Sequence, residues 1–64
     1  MSVNIERLES IKRDNSTPKE FAKARFDLAS EYKKNGQFEK AKNAYLEIKE
    51  DDDEDIFTYA NYYL

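Results

Sequence analysis

The sequence predicts an all-α fold of about four helices, arranged as antiparallel helix hairpins. Three observations predict it. Small and large apolar residues recur at helical spacing on both sides of the only glycine, from Leu28 to Ile48. A strong helix-start signal stands at Thr17-Pro18-Lys19-Glu20. Finally, an apolar pattern repeats along the chain. Phe21-x2-Ala24-x-Phe26-x-Leu28 returns 36 residues later as Phe57-x2-Ala60-x-Tyr62-x-Leu64, and Leu8-x2-Ile11-Lys12 returns 37 residues later as Tyr45-x2-Ile48-Lys49.

The first helix is expected over about residues 3–14, with Ser2 as N-cap and Ile5, Leu8 and Ile11 as a narrow apolar stripe. Asp14-Asn15-Ser16 should end it, because these side chains bond nearby backbone groups and favour turns. The second helix is expected over 18–34. Thr17 caps its open amides, Pro18 fits a position that needs no N–H, and Glu20 closes a capping box. Phe21, Ala24, Leu28 and Tyr32 form its inner face, widened by Ala22 and Ala29. Asn35-Gly36 stops it, with Gly36 in the left-handed conformation.

The third helix is expected over about 38–50, with Phe38, Ala41, Tyr45 and Ile48 inward and Ala44 beside them. Its outer face mixes Glu39, Lys40, Lys42 and Glu47. The run from Asp51 to Asp55 then suits a solvated loop at a helix N-terminus, where negative charge meets the positive end of the dipole. A fourth helix should follow over about 54–64.

Leu28-Ala29-x2-Tyr32-x3-Gly36-x-Phe38-x2-Ala41-x3-Tyr45-x2-Ile48 resembles one tetratricopeptide repeat, whose pattern is W-x2-L-G-x2-Y, then A-x3-F, then P. Leu28, Ala29, Tyr32, Ala41 and Tyr45 occupy family-like positions. Arg25 stands where the family has a large aromatic, Ile48 where it has alanine, and Asp53 where proline often ends the unit. The resemblance implies a solenoid fragment with one full repeat, flanked by half-repeats at helices one and four. It also implies a concave groove lined by the opening helix of each unit. Here those positions are Lys23, Phe26, Asp27, Ser30 and Lys33 on the second helix, and Tyr59, Tyr62 and Tyr63 on the fourth. Lysine and asparagine clamp a terminal carboxylate in some family members, but Phe26 and Ser30 hold those places here.

The 64 residues are read as one domain, or as a piece of a longer repeat array. With no cysteine and no histidine, disulfides and thiolate or imidazole metal sites are excluded. A calcium loop starting at Asp51 would need glycine at Ile56 and glutamate at Tyr62, so none is expected. A catalytic site is not expected either. No serine, threonine, lysine or tyrosine has a base at motif spacing, and one glycine cannot make a phosphate-binding loop. No cofactor is called for. The net charge of −3 and the scattered lysines and arginines argue against nucleic acid. Without a basic leader or a long apolar run, neither export nor a membrane span is expected, and a cytoplasmic protein is the default.

The segment from Ile56 to Leu64 is apolar around most of its circumference, which points to a contact surface. The leading expectation is a non-catalytic protein–protein interaction module, a scaffold or adaptor taking a peptide or helix, with no small-molecule substrate. Two alternatives remain: a homodimer sealed by the aromatic fourth helix, or a small inhibitor that blocks an enzyme surface.

Overall fold

The computed structural model describes residues 3–64, with side chains from Asn4 onward. Four helices follow in chain order: α1 (Val3–Glu9), α2 (Pro18–Lys34), α3 (Phe38–Glu47) and α4 (Glu54–Tyr63). No strand occurs among the described residues. Ser2, the expected cap of α1, lies outside them.

Helix α1 stops at Glu9, well short of residue 14. Ser10 begins the exit by donating its hydroxyl to the Arg7 carbonyl at 2.6 Å. Asn15 then holds the turn from both sides. Its Oδ1 accepts from Lys12 N at 2.8 Å, and its Nδ2 donates to the Ser10 carbonyl at 2.9 Å. Such local side-chain bonds offer the backbone an alternative to the helix. Ile11 therefore reaches the core from a turn.

Helix α2 begins and ends at the expected residues. Glu20 N donates to Thr17 Oγ1 at 3.1 Å, and Thr17 N donates to Glu20 Oε1 at 2.9 Å, closing the capping box. These bonds favour the ionised Glu20 carboxyl and lower its pKa. At the other end, Gln37 N donates to the Tyr32 carbonyl at 2.8 Å and Gly36 N to that of Lys33 at 3.1 Å. This is a Schellman closure, with Gly36 at φ +76°. A Cβ at Gly36 would meet nothing within 4 Å, so a substitution there is strained by the backbone alone. Gly36→Val should therefore cost about 1–2 kcal/mol, and Gly36→Asn distinctly less. Urea midpoints check this, and equal midpoints for all three proteins would remove the argument.

Helix α3 ends at Glu47 instead of residue 50, and Ile48 is already extended at φ −76°, ψ 126°. Arg13 Nη2 donates to the Glu47 carbonyl at 2.9 Å, and Lys49 N donates to Asp52 Oδ2 at 2.9 Å. Both bonds draw backbone groups away from a further helical turn. Ile48 is buried as expected, but from the loop. Phe38, expected inward, is 66% exposed. It is the first residue of α3, beyond Tyr32, the last buried residue of α2, so the hairpin's turn end leaves it uncovered.

Helix α4 is capped by Asp53, whose carboxylate accepts from Ile56 N at 3.0 Å. Glu54 and Asp55 follow in its first turn, where the dipole favours them.

The core is thin. Helix α2 lies at its centre and packs against each of the other three, while α4 also touches α3. Alanines at 22, 29, 41 and 44 are almost completely buried, which lets the backbones of α2 and α3 approach closely. Leu8, Ala24, Leu28, Tyr32, Tyr45, Ile48 and Ala60 complete the cluster. The result is a slab of 31 × 26 × 13 Å.

Candidate protein-interaction surface

One end of the slab carries a cluster of rings. Phe26 on α2 meets Tyr45 on α3 edge to face at 5.5 Å, and Tyr63 on α4 at 6.0 Å. Tyr45 and Tyr63 stack at 6.1 Å with 17° between their planes, and Tyr62 stands edge-on to Tyr63 at 5.3 Å. Lys33 Nζ sits 5.1 Å from the Tyr63 ring centre, a favourable place for a cation.

The cluster grades from core to solvent. Tyr45 is 4% exposed and Phe26 is half-buried, whereas Tyr63 is 51% exposed, Tyr59 61% and Tyr62 81%. Tyr63 therefore has two roles. One face closes the core and the other is open, so it is not a free contact residue. Phe38 and Leu64, at 66% and 51% exposure, extend the apolar surface around a shallow depression shared with Tyr63, Lys33 and Lys42.

The eight residues expected to form one groove divide into two groups. Phe26, Lys33, Tyr62 and Tyr63 are brought together, with Tyr59 one helical turn away on α4. Lys23 and Asp27 instead line a depression on the α1 side, with Leu8, Ile11 and Asn15. Ser30, half-buried, lines a further one with Asp27, Asn4 and Lys34. Helix α1 occupies that flank, which separates these three from the aromatic group.

Two polar arrangements were not anticipated. Asp52 was expected in a solvated acidic loop, yet its side chain is only 4% exposed. Arg13 grips it with Nη1–Oδ1 at 2.5 Å and Nη2–Oδ2 at 2.7 Å. That hydrogen-bonded guanidinium lowers the Asp52 pKa against the opposing effect of burial, with help from the Lys49 amide. The two residues are 39 apart in sequence, and neither flanking pattern marks them as partners.

Arg25 is the second arrangement. It is 6% exposed, with Nη1 donating to the Leu8 carbonyl at 3.3 Å and Nε 3.5 Å from Glu47 Oε2. The guanidinium carbons of Arg13 and Arg25 lie 4.3 and 4.9 Å from the centre of the buried Phe21 ring. Both cations thus lie over the Phe21 ring, a favourable cation–π placement. Tyr32 donates its hydroxyl to Glu9, and burial, aided by that bond, raises its pKa to about 12.

Among the described residues, no three acidic side chains converge to hold a metal ion, and no helix is long and apolar enough to cross a membrane. What the fold and this surface define is an all-α protein of four helices with an aromatic face left open at the α4 end. No family model, curated protein or solved structure matches the chain.

Proposed function

We propose that this chain is a non-catalytic protein–protein interaction module, a tetratricopeptide-like scaffold in a cytoplasmic setting. Its Tyr-rich face takes a peptide or helix of another protein. The observation that carries the reading is the exposure of Tyr59 and Tyr62 beside the partly open Tyr63 and Leu64. Tyrosines present large apolar area plus a hydroxyl with few rotatable bonds, and such residues dominate binding energy at interfaces. Phe26 and Tyr45 hold the Tyr63 ring in place, and Tyr63 in turn meets Tyr62 edge-on, which limits the ordering left to be done there on binding.

Tyr59→Ser combined with Tyr62→Ser is the informative substitution, because both side chains point mainly into water. Binding should weaken by about 2 kcal/mol or more, roughly thirtyfold, with helicity retained. Affinity capture with wild-type and substituted chain, alongside circular dichroism, measures both quantities. Equal capture by the two proteins, or a substituted chain that melts, would sink the reading.

A further inference from the structure

We infer that the partner fitted to this face is a second copy of the chain, paired antiparallel through α4 about a two-fold axis. The inference rests on the reading of the α4 face as a protein-interaction surface and names what that surface binds. It comes from the order of charges along the helix. Ten residues of α4 span about 15 Å. Glu54 and Asp55 lie at one end, with Asp51 in the preceding loop. At the other end are Lys33, 5.1 Å from the Tyr63 ring centre, and Lys42 beside Tyr63 and Leu64. Asp55, Tyr59 and Tyr62 follow at i, i+4 and i+7, so acid and rings share one stripe.

None of these charges has an ion-pair partner among the described residues. The ion pairs among the described residues are Arg13–Asp52, Arg25–Glu47 and Lys34–Glu31, and none involves Lys33, Lys42, Asp51, Glu54 or Asp55. A wholly acidic ligand would satisfy the lysines but meet repulsion at Glu54 and Asp55, and a wholly basic one would do the reverse. The surface asks for both signs in the opposite order. A second α4 running antiparallel supplies that order twice over, as a self-complementary two-fold contact must. Tyr59 then packs near its own symmetry mate. A parallel pair would set like charge on like.

The area is also adequate. Phe38, Tyr59, Tyr62, Tyr63 and Leu64 are each between 51% and 81% exposed. At ~150–250 Å² for an aromatic side chain, they offer roughly 600 Å² per copy. That approaches the ~800 Å² per partner of a standard interface, and the lysine stems and acidic rim add to it.

Sedimentation equilibrium of the full chain, from micromolar to millimolar concentration, tests the pairing. The wild type should form a reversible dimer. Lys33→Glu with Lys42→Glu should weaken it tenfold or more, as should Glu54→Lys with Asp55→Lys. An equimolar mixture of these two variants should restore a dimer containing one of each, visible by native mass spectrometry, because both ends are again opposite in sign. Lysine at a helix N-terminus opposes the dipole. The neutral pair Glu54→Gln with Asp55→Asn therefore serves as a second variant, expected to weaken association with helicity unchanged. A monomeric wild type, variants that dimerise like it, or a mixture that stays monomeric would each overturn the inference. If the wild type is monomeric but Tyr59→Ser with Tyr62→Ser still abolishes capture of a foreign protein, only the self-pairing fails. If neither assay responds to those substitutions, the surface reading fails with it.

Discussion

Tyr45→Ala should abolish most of the stability of this protein, at a cost of about 3–5 kcal/mol. The ring is 4% exposed and touches the rings of both Phe26 and Tyr63, so it joins α3 to α2 and to α4 at once. Aromatic pairs of this kind add ~0.5–1.5 kcal/mol beyond the area they bury. A core in a chain this short rarely supplies more than ~3–5 kcal/mol in all, and there is no disulfide to make up the loss. Tyr45→Phe keeps the ring and should stay close to wild type. Urea unfolding followed by circular dichroism separates the two. A Tyr45→Ala protein with an unshifted midpoint would mean that the ring cluster does not hold α4 in place.

The second large effect belongs to the clamp between Arg13 and Asp52. Arg13→Met removes the guanidinium from Asp52 and from the Phe21 ring, and leaves a buried carboxylate with the Lys49 N–H as its remaining strong bond. The expected loss is ~1–3 kcal/mol, the cost of an under-satisfied buried acceptor. It is kept below the figure for a wholly buried ion pair because the Arg13 side chain is 47% exposed. Removing both partners, Arg13→Met with Asp52→Ala, should recover part of the loss, since no charge is then stranded.

The clamp also sets a pH dependence. The folded-state pKa of Asp52 lies below its ordinary value of about 3.9. Its contribution is therefore complete above that value and disappears as pH falls through the folded pKa. Glu20, lowered by its cap bonds, acts in the same direction. Melting temperature should accordingly be level near neutrality and fall below about pH 4. The fall should be shallower in the doubly substituted protein. Identical acid profiles for the two would remove Asp52 as its source.

What could be read from the sequence was local. The start of α2 is encoded within Thr17–Glu20 and its end within Asn35–Gly36, and both ends match because each bond spans a few residues. The far ends of α1 and α3 were over-extended. Helix α3 gives way where Arg13, 34 residues earlier, takes the Glu47 carbonyl. No periodicity reveals such a bond. Similarly, Asp52 looks like its acidic neighbours, and only the packed structure separates it from them. On the surface, Tyr59 and Tyr62 stood out because α4 is apolar on more sides than one hairpin can cover. Lys23, Asp27 and Ser30 were grouped with them by helical register, which says nothing about which flank a neighbouring helix will occupy.

The central position of α2 has a consequence for the order in which the chain assembles. Helices α2 and α3 are joined by a three-residue connection, so their contacts close a short loop at little entropic cost. Neither α1, seven residues long, nor α4, ten residues long, can be stable as a helix alone. Each acquires its structure only by docking on a hairpin that already exists. Folding should thus nucleate at Gly36 and spread outward in both directions. The aromatic face, being the last part to form on that side, is also the part most readily remade around another molecule.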